Sequence, residues 1–119
     1  MNKKIGIVGN QKGWDYEFVR KKCLEIGIHS LDTIISGGAK GVDTFAQMIA
    51  EELGCTIIIH YPRPDLPSPY RYFQRNSQVA NECGLLIAFD KKSGRAGTKN
   101  TISEAKKAGK KVILFNKEV

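Results

Sequence analysis

Five short apolar runs, rich in β-branched residues, alternate along this sequence with segments of helical periodicity. The runs cover residues 4–8, 33–36, 56–61, 85–89 and 111–115. Such alternation is typical of a βαβ series, in which helices cover both faces of a parallel sheet. We therefore predict an α/β, Rossmann-like three-layer fold with a five-stranded parallel sheet in the order 3-2-1-4-5, forming one domain over residues 1–119.

The segments between these runs predict helices, three of which end at glycines. Apolar residues with i, i+3, i+4, i+7 spacing begin at Val42 and end before Gly54. Similar stripes precede Gly27 and Gly109. Four prolines within residues 62–69 predict a loop, and we expect a helix to follow it over about residues 70–83.

Composition restricts the class of protein and its partners. The chain has 119 residues, of which 41% are hydrophobic and 26% charged, as in globular proteins. No apolar run is long enough to span a bilayer, so we expect a cytoplasmic protein without a membrane partner. The formal charge of +7 favours polyanionic partners. The basic residues lie in pairs spread along the chain, which is more typical of solvated faces than of a dedicated nucleic-acid surface.

The cysteines and histidines do not form a metal-binding pattern. Cys23, Cys55 and Cys83 are far apart in sequence and include no CxxC pair, so we predict buried free thiols. His29 and His60 stand alone in unrelated segments. The sequence therefore predicts no bound metal.

Glycine-containing turns follow the first, second and fourth predicted strands. In a doubly wound sheet such turns share the carboxyl edge, and ligands bind where the strand order reverses, here between strands one and four. Backbone N–H groups at a helix start suit a phosphate or another anion. The turn residues are Gly9, Asn10, Ser36, Gly37, Gly38, Ala39, Gly94, Gly97 and Thr98.

Several side chains near these turns allow two interpretations. Asp43 either caps the second helix by accepting a backbone N–H or holds a ribose hydroxyl. Thr98 is a predicted N-cap, and Thr101 with Glu104 has the spacing of a capping box. Trp14 either stacks on a base or covers the start of the first helix. The other candidate stacking residues near the edge are Tyr61, Tyr70, Tyr72 and Phe73.

Six motifs occur in order along nearly the whole chain. They are Ser36-Gly37-Gly38-Ala39-x-Gly41-Val42-Asp43, Tyr61-Pro62, Arg75-Asn76, Ile87-Ala88-Phe89, Gly94-x-x-Gly97-Thr98 and residues 105–112. Together they resemble the SLOG superfamily, which unites the DNA-processing protein A (Smf) group with the LOG phosphoribohydrolases. The closest resemblance is to its compact YspA-like, cpYpsA-related branch.

The resemblance implies a domain that binds nucleotides, NAD-derived molecules or nucleic-acid phosphates. Ligand-binding roles then fall on the turn residues and on Gln11, Asp43, Tyr61, Arg75 and Asn76, with Arg75 neutralising phosphate. The chain would sense or sequester a nucleotide-like small molecule without requiring a cofactor, a role that this superfamily links to bacterial immune signalling. Related small domains dimerise through helices, so the resemblance also implies a homo-oligomer.

The chain departs from the family pattern at two positions. The phosphoribohydrolases carry a Glu that acts in cleaving the N-glycosidic bond, and Thr101 stands at that place here. Gln11 stands where the YspA-like branch tends to have Arg, so that phosphate contact is either missing or supplied by Lys12. Binding is therefore the leading hypothesis. The alternatives are an N-glycosidase using Asp43 or Glu104 as its carboxylate, and a single-stranded DNA-binding protein.

Overall fold

A five-stranded, all-parallel sheet with the strand order β3-β2-β1-β4-β5 forms the centre of the molecule, as predicted. The structure is a computed structural model that describes residues 2–118. The elements are β1 (Lys4–Gly9), α1 (Tyr16–Ile26), β2 (Thr33–Ser36), α2 (Val42–Leu53), β3 (Thr56–Ile59), α3 (Tyr70–Glu82), β4 (Leu85–Lys91), α4 (Ala96–Lys107) and β5 (Lys111–Lys117).

Two apolar layers lie on opposite faces of the sheet, because successive residues of a strand point to opposite sides. On one face, β1 buries Ile5 and Ile7 against α1 and α2. On the other face, Val8 of β1 and Leu86 of β4 pack against α3 and α4. The predicted three-layer architecture is therefore confirmed.

The strand bounds differ from the prediction at four carboxyl ends, and β1 runs one residue further, to Gly9. Strands β4 and β5 each run two residues further, because they stay paired as far as Lys91 and Lys117. Strand β3 ends at Ile59 rather than at residue 61. The N–H of His60 still donates to the carbonyl of Ser36 at 2.9 Å, after which the proline-rich loop leaves the sheet.

Helix α4 begins earlier than its threonines predict. It starts at Ala96 with Arg95 as the N-cap, and no side chain caps it. Thr98 is therefore inside the helix, and Thr101 donates its hydroxyl to the carbonyl of Gly97 at 3.1 Å. The predicted N-cap at Thr98 and the predicted capping box are wrong, because the helix continues through Gly97 towards the sheet edge.

The cysteine prediction is confirmed for two of the three thiols. Cys23 and Cys83 are buried free thiols, whereas Cys55 is only partly buried. Burial raises the pKa of the Cys23 thiol to about 12. Within residues 2–118, we find no helix of the length and apolarity that crossing a bilayer requires.

Candidate functional site

Asn10, directly after β1, is a structural centre of the carboxyl edge. Its Oδ1 accepts hydrogen bonds from the indole of Trp14 at 3.0 Å and from the N–H of Lys91 at 2.7 Å. Its Nδ2 donates to Asp90 at 3.0 Å. The Asn10 side chain, which sequence reasoning assigned to a ligand, is thus occupied by protein partners that connect the turns after β1 and β4.

The position of Trp14 agrees with the second of the two interpretations, in which its ring covers the start of α1. Its ring is buried and packs edge-on against Phe89, with the centroids 5.4 Å apart. The ammonium of Lys117 lies 4.4 Å from the centroid of the indole. Trp14 therefore covers the start of α1 and does not offer its ring to a base.

Asp43 braces the glycine turn that follows β2. Its Oδ2 accepts the N–H of Ala39 at 3.1 Å, and its backbone carbonyl accepts the hydroxyl of Ser36 at 3.4 Å. Helix α2 has Gly41 as its N-cap and no side-chain cap. The expectation that Asp43 caps α2 is wrong, because its carboxyl group bonds back to the turn instead.

The second carboxyl oxygen of Asp43 has no hydrogen-bond partner, although the residue is only 5% exposed. Burial raises the pKa of this carboxyl group to about 6, while the N–H of Ala39 and the positive charge of Arg75 oppose that shift. A buried oxygen without a partner is costly. Such an oxygen, combined with a perturbed pKa, is typical of functional sites.

Arg75 and Asn76 connect the turn after β2 to the start of α4. The guanidinium of Arg75 donates to the carbonyl of Gly37 and, at 2.8 Å, to Oδ1 of Asn76. Asn76 in turn donates to Asn100 at 3.0 Å and to the carbonyl of Gly97 at 3.4 Å. This chain of hydrogen bonds fixes a positive charge at the edge, between the starts of two helices.

The first turn of α4 is more open at this edge than that of α2, where the N–H of Val42 already donates to the carbonyl of Asn10 at 3.3 Å. The N-caps of both helices, Gly41 and Arg95, lack side-chain hydrogen bonds. Gly97, in the first turn of α4, is exposed, and a Cβ atom there would have nothing within 4 Å. A phosphate can approach this backbone without displacing a side chain, and the helix dipole favours its negative charge.

The structure brings predicted binding residues together at one edge and places the candidate catalytic residue Glu104 further along α4. Glu104 lies eight residues beyond the first residue of α4, about 12 Å along the helix axis. Gln11 has an exposed side chain, and a Cβ atom at Gly41 would lie 2.5 Å from its carbonyl oxygen. The residues gathered at the edge are Gly9, Asn10, Ser36, Gly37, Gly38, Ala39, Asp43, Tyr61, Arg75, Asn76, Gly94, Gly97 and Thr98.

Sequence reasoning missed Asp90, Lys99 and Asn100. Asp90 accepts from Asn10 and pairs with the ammonium of Lys99 at 2.9 Å. Asp90 could have been identified from its position in the sequence, because it is a polar residue close to the end of a buried strand. No sequence signal identifies Asn100, since its importance depends on the three-dimensional approach of α3 to α4.

Two depressions in the surface of the molecule are lined by residues outside the turns after β1 and β2. A depression of about 470 Å³ lies at the opposite edge of the sheet, beside Lys3, Lys4 and Lys110. Another, of about 300 Å³, borders Asp90 and Asn116. Among residues 2–118, no three His, Cys, Asp or Glu side chains are grouped so as to hold a metal ion.

Comparison with known proteins identifies structures of the same fold. No protein-family model and no curated protein matches the sequence. The X-ray structure of DNA processing protein A from Streptococcus pneumoniae matches with a TM-score of 0.79 and 22% identity, over 94% of this chain and 50% of that one.

A second structure, of DNA processing protein A from Helicobacter pylori, matches with a TM-score of 0.67 and 18% identity, over 98% of this chain and 66% of that one. That structure describes a single-stranded DNA binding mode. The chain thus spans half of the first protein and 66% of the second, and at these identities the similarity establishes a shared fold.

Proposed function

We propose that this chain is a SLOG-type domain of the YspA-like branch, which binds the phosphate of a nucleotide or nucleotide derivative at the carboxyl edge. The observation that carries the proposal is the fixed guanidinium of Arg75 between two helix starts that lack side-chain caps. A guanidinium and first-turn N–H groups are complementary to a phosphate. No cofactor is needed for this binding.

The unpartnered carboxyl oxygen of Asp43 favours a ligand that carries a hydroxyl group, such as that of a ribose, in addition to a phosphate. This oxygen would accept a hydrogen bond from a hydroxyl, which would remove the cost of leaving it unpaired. Because the residue is only 5% exposed, a hydroxyl reaches this oxygen only if neighbouring residues move.

Binding is better supported than N-glycosidase chemistry. Thr101, which stands in place of the family's catalytic Glu, uses its hydroxyl to bond to Gly97. Glu104 lies about 12 Å along α4 from the start of the helix. Oxocarbenium-like chemistry requires a positioned carboxylate, and the first turn of α4 supplies none, so this alternative depends on Asp43 alone.

Single-stranded DNA is the second candidate ligand, and two observations favour it. The fold is shared with a DNA processing protein A whose structure concerns single-stranded DNA binding. The chain also carries a formal charge of +7. A strand would offer the same phosphate chemistry to Arg75, with a steep dependence of affinity on salt.

The test is to measure binding of AMP, ADP-ribose, NAD and a single-stranded oligonucleotide by titration calorimetry. Arg75→Ala should weaken binding of every ligand by at least about tenfold, because a hydrogen bond to a charged group contributes about 1.5–3 kcal/mol. Arg63→Ala is the matched control, since Arg63 is an exposed arginine paired with Asp65 at 2.5 Å.

The control should bind as the parent protein does, and thermal unfolding should verify that both variants fold. Binding unchanged in Arg75→Ala, or no binding of any ligand by the parent protein, would overturn the proposal. Tighter binding of AMP, ADP-ribose or NAD than of the oligonucleotide supports a nucleotide as the ligand, whereas tighter binding of the oligonucleotide supports single-stranded DNA.

A further inference from the structure

The ring of Tyr61 lies against the glycine turn after β2. A Cβ atom at Gly38 would be 2.7 Å from two carbons of this ring, so a glycine at that position is what lets the ring approach. Tyr61 is nevertheless 62% exposed. The ring therefore borders the proposed phosphate site and keeps much of its surface open to solvent.

Arg75 connects the same turn to a second exposed ring. Its guanidinium donates to the carbonyl of Gly37 and lies 6.0 Å from the centroid of Tyr72. Tyr72 is 43% exposed. A cation near an aromatic ring is attracted to its face, which helps to hold the two side chains together.

The two rings thus adjoin the same turn, one through Gly38 and one through Arg75. Exposed aromatic side chains beside a positive charge are the usual elements of a surface that binds unpaired bases and phosphates together. Tyr70 and Phe73, in the first turn of α3, are also exposed.

We propose that Tyr61 and Tyr72 each stack one base of a ligand in which two unpaired bases are joined through phosphate. The phosphate linkage lies at Arg75, and the bases lie on either ring. This inference rests on the proposed phosphate site and names the ligand class: a dinucleotide, either free or as two successive nucleotides of a single strand. A mononucleotide fills only half of the surface.

The experiment compares probes that carry no base, one base and two bases. They are ribose 5-phosphate, AMP and the dinucleotide pApA, with NAD as a pyrophosphate-linked form and an eight-nucleotide single strand as the polymeric form. Dissociation constants are measured for the parent protein and for Tyr61→Ala, Tyr72→Ala and Leu31→Ala. Leu31 is the control, since it is an exposed apolar residue preceding β2, at the opposite edge.

We expect affinity to rise at each added base, and each tyrosine variant to weaken binding of the two-base probes by at least about fivefold. Binding of ribose 5-phosphate should stay unchanged in both variants, and the Leu31 control should bind every probe normally. Tyr61→Phe should retain the affinity of the parent protein, because stacking needs the ring and not its hydroxyl.

The two proposals fail in different ways. If no probe binds, including ribose 5-phosphate, the phosphate site itself is wrong. If AMP and pApA bind equally well, or if the tyrosine variants bind the two-base probes normally, this inference is overturned while the phosphate site stands. Tighter binding of the eight-nucleotide strand than of pApA and NAD supports a strand as the source of the two bases, and the reverse supports a free dinucleotide.

Discussion

Replacing Asp43 with Asn removes a buried carboxyl group whose native pKa is about 6. In the unfolded chain the same group has its ordinary pKa near 3.8. The native state therefore keeps its proton to a higher pH than the unfolded state does, and the free energy of unfolding must fall as the pH rises from about 4 to about 6. The difference between these pKa values corresponds to about 3 kcal/mol.

The assay is urea-induced unfolding of the parent protein and of Asp43→Asn between pH 4 and pH 8. The difference in unfolding free energy, variant minus parent, should increase by about 2.5 kcal/mol between pH 4 and pH 7, since the unfolded chain is already partly ionised at pH 4, and should stay nearly constant above pH 7. Glu51→Gln, which removes an exposed carboxyl from the same helix, is the control and should show no such increase.

Two results would refute this reasoning about Asp43. A difference independent of pH would mean that the carboxyl group titrates at its ordinary pKa. A difference that decreases with rising pH would mean that the N–H of Ala39 and the charge of Arg75 outweigh the effect of burial. In that case Asp43 would be a stabilising anion rather than a costly one.

Three further predictions concern the turns and the thiols. Gly41→Ala should lower the melting temperature by several degrees, because φ is +74° and a Cβ atom would lie 2.5 Å from a backbone oxygen; Gly97→Ala, in open space, should not lower it. Asn10→Ala should cost about 2–3 kcal/mol in chemical unfolding, since it leaves buried groups unpaired, and an unchanged stability would contradict its structural role. In the native protein Cys55 should react with a thiol reagent before Cys23, whose burial raises its pKa to about 12; equal rates, read by mass spectrometry, would refute this.

The sheet could be predicted because its determinants are local and repeated. Each apolar run of four to six residues is followed by a helical segment, and only one handedness of crossover is common. The predicted strand order was also confirmed. The ends of β4 and β5 were missed, because they depend on pairing between the two strands rather than on the hydrophobicity of either.

The sequence predicted the turns of the candidate site but not the hydrogen-bond network that connects them. Glycine spacing located the turns, yet the sequence did not reveal that Asn10 bonds to Asp90 or that Asn76 bonds to Asn100. Thr98 and Thr101 follow the pattern of helix caps but lie inside α4, because packing on the sheet overrides local capping preferences. Such tertiary contacts have no periodic signature in the sequence.

The position of β1 in the sheet affects how the protein is made. One neighbour of this central strand is β4, and Ile5 pairs with Leu85, which is synthesised 80 residues later. At about 5–20 residues per second, a ribosome needs about 4 to 16 s to produce that partner. During this interval the edge of β1 has no β4 to pair with. The contact between Asn10 and Asp90 at the carboxyl edge therefore forms only after the residues of β4 have been synthesised.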